Sequence, residues 1–371
     1  MAALLLSLLT VLGLTPAPTG AVALASTGTD GRLVVSSTSV PVVFPVVLGP
    51  AWYSMIGDAS STSAERNVFP GASAFWEPIP TGPRIDPRSN EISAKLAEKG
   101  KARVAQLYQY GNPIVEADAS TPRYQLTVRY QGDGPGLWGY NDLASTTVPI
   151  PDGALPSSGT DGKLTIIDRS TRMVYDLWQM QRSGSKWTVG WGGVYPMDGD
   201  GSSPNPAYGT DGATWPAPLS RGTGSGMATY LGTIRMAELA AGHISHAVSI
   251  NTDIVCGPAQ TGQFRWPATT TDGTITSGTC LPEGARVQLD PALDLSLIPG
   301  ITQAELVLGR ALQTYGGIVN DGGASRMGFS FETPQPNQAN PYPAAGLAWD
   351  FYGLDRLPWT SLRVLAAWDG R

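Results

Sequence analysis

Apolar residues alternate with polar ones, or run in short apolar blocks, over Tyr124–Tyr130, Leu164–Asp168, Met173–Gln181, Trp187–Val194, Ile244–Ile250 and Ala285–Leu289. That pattern predicts strands. A spacing nearer four marks the helices. Ile92 and Leu96 predict one over Ser89–Lys99, stopped by Gly100, and a second covers about Ile234 to Ala241. The best-marked helix follows Thr302. Thr302-Gln-Ala-Glu305 has the form of a capping box, Leu308, Leu312 and Tyr315 make an apolar stripe, and Gly316-Gly317 end it. Beyond it, Gly317–Asn320 and Met327–Glu332 read as strands around an Asp321-Gly-Gly turn of the type I′ kind. The aromatic stretch Trp349–Trp368 is expected to pack as part of the body. No internal repeat is visible. The fold predicted is mainly β: a single large β-sandwich or jelly-roll-like domain over residues 71–371, covered by a few α-helices.

The N-terminal part reads differently. Ala3 to Leu14 is an apolar run too short to span a bilayer comfortably, and Ala23-Leu-Ala25 is a small-x-small pattern. Residues 1–25 are therefore expected to be a secretory signal peptide, although a basic start is missing, and residues 26–70 a Ser/Thr/Val/Pro-rich segment. No later stretch is apolar and long enough to span a membrane, so an extracellular protein is expected. Cys256 and Cys280 fit an oxidising compartment and are expected to be bridged.

Gly 45 and Pro 31 agree with a turn-rich β protein. A formal net charge of −6 with no basic run argues against nucleic-acid binding, and mildly against a polyanionic substrate. The dinucleotide fingerprint, the P-loop and HExxH are absent from the sequence. Gly224-Ser-Gly226 lacks the outer glycines of a nucleophile elbow, with Thr223 and Met227 in their places.

The chemistry suggested by the pattern centres on Met173-Val-Tyr-Asp-Leu-Trp-Gln-Met180 and Lys186-Trp-Thr-Val-Gly-Trp191. As a strand, the first puts Val174, Asp176, Trp178 and Met180 on one face. A carboxylate among apolar and aromatic neighbours is either paired or used. Beside indoles the arrangement suits a sugar, which stacks on Trp while the acid acts on the glycosidic oxygen. Asp321 is the candidate second carboxylate, although a turn accounts for it as well, with Glu332 and Asp272 in reserve. His246 is placed on the inward face of its strand, as a core histidine or a group that tunes an acid. Trp178, Trp191 and Trp266 are candidate stacking residues within a middle third that also holds Trp187 and Trp215. Arg286 is expected to hold a substrate carboxylate or to pair with Asp290 or Asp294. Tyr315 is a candidate substrate contact. Asp198-Gly-Asp200 resembles part of a calcium loop without its closing ligands. No metal or other cofactor is expected, apart from weak structural calcium at that turn.

Several segments together resemble a group of secreted bacterial proteins without an established activity. They are Phe75-Trp-Glu-Pro-Ile-Pro80 with Ile85-Asp-Pro87, Ile167–Thr171 through Trp178, Gly242-His-Ile-Ser-His-Ala247, Pro282-Glu-Gly-Ala-Arg286 and Arg310–Gly316 with Asp321-Gly-Gly323. The resemblance runs from about Phe75 to Asp369 and implies export and one long domain. Where such proteins often have a histidine, this chain reads Pro267-Ala-Thr-Thr270.

The leading expectation is a secreted polysaccharide-degrading enzyme, a glycoside hydrolase with Asp176 and Asp321 as its carboxylates and His246 tuning one of them. One alternative is a polysaccharide lyase with Tyr315 or His246 as base and Arg286 neutralising a uronate. Another is a non-catalytic carbohydrate-binding or cell-envelope protein.

Overall fold

The structure, a computed structural model, describes residues 67–132, 134–203, 221–258 and 263–367, plus the backbone of β1 (Ala23–Thr27) and β2 (Leu33–Ser37). The chain divides into two units, Met1–Ile56 and Gly57–Arg371. In the first, β1 and β2 pair antiparallel. Most of the expected signal peptide and Trp215 lie outside the described residues.

In the second unit, short blocks with apolar residues on both faces become the inner strands of a mixed seven-stranded sheet. Its order is β16 (Tyr352–Gly353), β3 (Arg103–Gln106), β15 (Met327–Ser330), β12 (Val248–Thr252), β14 (Gly317–Gly322), β13 (Arg286–Leu289) and β17 (Leu362–Val364). Parallel pairing of β12 with β14 and of β15 with β3 accounts for strands buried on both faces. On one face, α2 (Ser89–Leu96) and α4 (Gln303–Thr314) lay Ile92, Leu96, Leu308 and Leu312 against Ile250, Val287 and Phe329. The capping box on α4 is present: Thr302 Oγ1 accepts from Glu305 N at 3.1 Å, and Glu305 Oε2 accepts from Thr302 N at 3.0 Å.

The opposite face meets a second sheet of four strands, β11 (Trp191–Pro196), β8 (Met173–Trp178), β7 (Leu164–Asp168) and β4 (Ile114–Ala117). Ile318 and Ala247 share this core with Ile114, Ile167, Val174 and Tyr195, and with Phe75 and Trp76 of the short helix α1 (Ser73–Trp76). The far side of the second sheet packs Ile166, Tyr175 and Leu177 on a third sheet. That sheet runs β6 (Thr147–Pro149), β5 (Arg123–Val128), β10 (Lys186–Val189) and β9 (Gln181–Ser183). Arg123 bridges the two layers with an ion pair of 2.7 Å to Asp168. Burial opposes that charge, but hydrogen bonds from Ser170, Thr171 and Arg123 hold the Asp168 carboxyl down at about 2. The domain is thus mainly β and sandwich-like, with 29% strand against 14% helix. No helix among the described residues is long and apolar enough to cross a membrane.

Three local expectations change. The run Trp187–Val194 divides between β10 and β11, which lie in different sheets. Gly190 is the crossing point, where a side chain would meet Gln179 and the Trp178 ring. The Asp321-Gly-Gly segment is not a hairpin turn, because β12 lies between β14 and β15, and neither Gly322 nor Gly323 has positive φ. The strand expected from Ile244 begins at Val248, so His246 precedes it. It sits instead against α3 (Met236–Ala241).

Cys256 and Cys280 are bridged. They close a loop of sequence separation 24, and removing the cross-link should cost roughly 3 kcal/mol through the entropy of the unfolded chain. Denaturant unfolding of Cys256→Ser/Cys280→Ser should show that loss. An unchanged midpoint would mean the bridge does not constrain the unfolded chain.

Candidate functional site

The chain enters the space beside β8 and β14 through Arg221-Gly-Thr-Gly-Ser-Gly-Met-Ala-Thr229, with glycine at every second position from 222 to 226. Each glycine marks a close approach. A side chain at 222 would collide with the Asp176 carboxylate, at 224 with that of Asp272, and at 226 with Thr269. The hydroxyls between them anchor the loop: Thr223 and Ser225 donate to Asn320 Oδ1 at 3.0 and 2.6 Å. Asn320 is the extra residue where the register between β12 and β14 shifts, and this bulge lies just before Asp321.

Asp321 Oδ1 accepts from Gly224 N at 3.0 Å. Glu283 lies in the turn before β13, where its carbonyl accepts from Arg265 N and its Oε2 from Asp272 N at 3.2 Å. Asp272 comes from the disulfide-closed loop. Carboxylate oxygens of Asp272, Glu283 and Asp321 lie within 4.8 Å of one another, with Glu283 buried, Asp321 half-buried and Asp272 exposed. Like charges this close do not all ionise freely. Burial, then Asp272 and Asp321, push the Glu283 carboxyl well above its usual range. Burial, then Asp272, push that of Asp321 up to about 7, against the pull of Lys163 and the Gly224 amide.

Asp176 is 2% exposed. It lies on the Val174 face of β8, turned toward the seven-stranded sheet. Its oxygens accept from Thr165 Oγ1 at 2.5 Å and from Thr229 N at 2.6 Å. Burial nevertheless raises it to about 6. Asp176 therefore secures the end of the glycine loop and does not reach solvent.

An aromatic shelf lies nearby. Trp138 stacks on Tyr130 at 4.6 Å and on Trp178 at 5.7 Å, with Trp191 edge-on at 5.5 Å. Trp138 is 46% exposed whereas Trp191 is 5% exposed, so Trp138 presents the accessible ring and Trp191 supports it from below. Trp178 Nε1 donates to Asp161 at 3.2 Å, and Asp161 pairs with Lys163 at 3.3 Å. The Lys163 charge in turn acts on both Asp176 and Asp321. The charges beside the shelf are thus felt at Asp176 and Asp321.

The other expected site residues lie elsewhere. His246 Nε2 is 3.0 Å from Glu238 in the core, with the Trp76 ring edge-on at 5.7 Å. Arg286 donates to the carbonyls of Tyr315 at 2.6 Å and Glu77 at 2.7 Å, which ties backbone together in place of the expected Asp290 or Asp294 contact. Trp266 and Tyr315 pack partly buried against the second core. Glu332 pairs with Arg235 at 2.9 Å and accepts from Met236 N at the start of α3. Asp198 pairs with Arg172, and Asp200 accepts from Ser202, so the proposed calcium turn is held by its own neighbours. Glu283 was not singled out from the sequence. Its Pro-Glu-Gly context reads as an ordinary turn, and nothing local signals that Asp272 and Asp321 converge on it.

Comparison with known proteins finds no matching family model, no matching curated protein and no matching solved structure.

The Asp176 environment has a consequence for stability. Its folded value lies above the unfolded one, so its contribution is present below about pH 4 and is lost as pH rises through about 6. Asp176→Asn should remove roughly 2–3 kcal/mol of that decline. Unfolding free energies measured from pH 4 to 7 check this, and an unchanged slope in the variant would refute it.

Proposed function

We propose that this chain is an exported glycan-degrading enzyme, a glycoside hydrolase whose carboxylate pair is Asp272 and Asp321. The observation that carries the reading is geometric. Two carboxylates that are not sealed in the core approach within 4.8 Å, and Asp161 and Lys163, whose charges act on Asp321, hold the indole of Trp178 in the stacked shelf. Indole faces take up the apolar face of a pyranose, while paired acids cleave the bond between rings.

In this reading Asp321 protonates the leaving oxygen, since its burial and the adjacent Asp272 keep a proton on it near neutral pH. Asp272, the exposed member, attacks the anomeric carbon, and water then releases the product. Carboxylate oxygens within 4.8 Å of each other leave little room for an intervening water, which favours retention of configuration. The ionised Asp272 repels uronates, so neutral glycans are the substrate class. Export is supported by the apolar leader and by the disulfide. The lyase alternative gains nothing from His246, which is paired in the core, or from Arg286, which binds carbonyls.

Incubation with a panel of neutral and acidic polysaccharides, followed by mass spectrometry, should yield neutral oligosaccharides carrying an added water. Asp272→Asn and Asp321→Asn should each lower turnover by about 10²–10⁴-fold with an unchanged circular dichroism spectrum. Trp138→Ala should raise KM and spare kcat. Wild-type rates in either acid variant would sink the assignment. Glycan binding without products would replace it with the non-catalytic reading.

A further inference from the structure

We propose that Asp272, Glu283 and Asp321 form a calcium site. Clustered acids alone would not carry this. The second observation is Glu283 itself, which is 0% exposed and has its Oε1 buried without a hydrogen-bond partner, since the neighbouring Thr271 hydroxyl donates to the Cys256 carbonyl, although the Glu283 carboxylate clusters with the other two acids. A buried carboxylate oxygen left without a donor is costly, and a cation is the partner that suits three acids at once.

The donor set selects the ion. All three ligands are carboxylates, and the two cysteines are held in a disulfide, so the centre suits a hard cation. Calcium accepts irregular shells of six to eight oxygens, whereas magnesium demands a near-ideal octahedron and keeps most of its waters, so carboxylates fixed on three separate segments favour calcium. Exposed Asp272 leaves one side open for entry and for the waters that complete a coordination shell of six to eight. The ligands come from the end of β14, the turn before β13 and the disulfide loop. A bound ion would therefore join three segments that are separate in sequence.

The site goes beyond the hydrolase reading and does not require it. In that reading, calcium occupies oxygens needed by the sugar, so the loaded protein is the slow form.

The test is calcium titration of the chelator-treated full chain, by calorimetry and thermal melting, with no glycan present. One ion per chain should bind, and about 5 mM calcium should raise the midpoint by several degrees, with magnesium giving a much smaller shift. Asp272→Asn, an exposed change that removes a like charge, should melt at or above wild type in chelator and bind calcium at least about tenfold more weakly. Glu283→Gln should abolish the shift. No heat and no shift in the wild type would overturn the proposal, as would unaltered binding in Asp272→Asn. An equal response to magnesium would overturn the choice of calcium. Binding without hydrolysis would leave this site standing and remove only the enzyme reading, while hydrolysis without binding would do the reverse.

Discussion

The acid centre depends on one close approach: the glycine loop lies against Asp176, Asp272 and Thr269 where β-carbons would otherwise stand. Removing those carbons brings backbone amides to the carboxylates. The Gly224 amide reaches Asp321 and the Thr229 amide reaches Asp176. Carboxylates withdrawn from water need such donors, because their desolvation is otherwise uncompensated. Thr223 and Ser225 fix the opposite side of the loop on Asn320, so the alternation of glycine and hydroxyl gives a strip with two working faces.

The centre is also electrostatically uncomfortable, with like charges close together. Only 15% of the residues are charged, yet Asp161, Asp176, Asp272, Glu283 and Asp321 act on one another or on Lys163 here. Elsewhere the buried acids have matched partners, as Asp168 has in Arg123 and Glu332 in Arg235. Stability supplied by the three apolar cores is what permits such a concentration of like charge. A local conflict retained against that background points to use, since nothing in the packing requires it.

What could be read from the sequence followed from how local the cause was. The helix after Thr302 was legible because its cap, stripe and stop all lie within its own residues. The mainly β character was legible from strand periodicity. Asp321 was legible as a carboxylate at a strand end, and that is where it lies, but its surroundings were not. A turn sequence cannot show that β12 will lie between β14 and β15. Gly190 resembled any strand glycine until the change of layer appeared, and the alternate glycines from 222 to 226 had no meaning without the carboxylates beside them. The inward placement of His246 held, though not the strand that suggested it. Glu283 was hidden because its partners are brought to it by a disulfide and by a strand end more than thirty residues further on.

The order of the seven-stranded sheet has a kinetic consequence. Met327 to Ser330 pair with Arg103 to Gln106, and Tyr352 pairs with Ala105 on the other edge of the same short strand. During synthesis that early strand waits for partners more than two hundred residues downstream, and the contact order is correspondingly high. The sheet cannot close until nearly the whole chain has emerged. Until then the polypeptide lacks its largest cooperative unit, so its folding is late and post-synthetic.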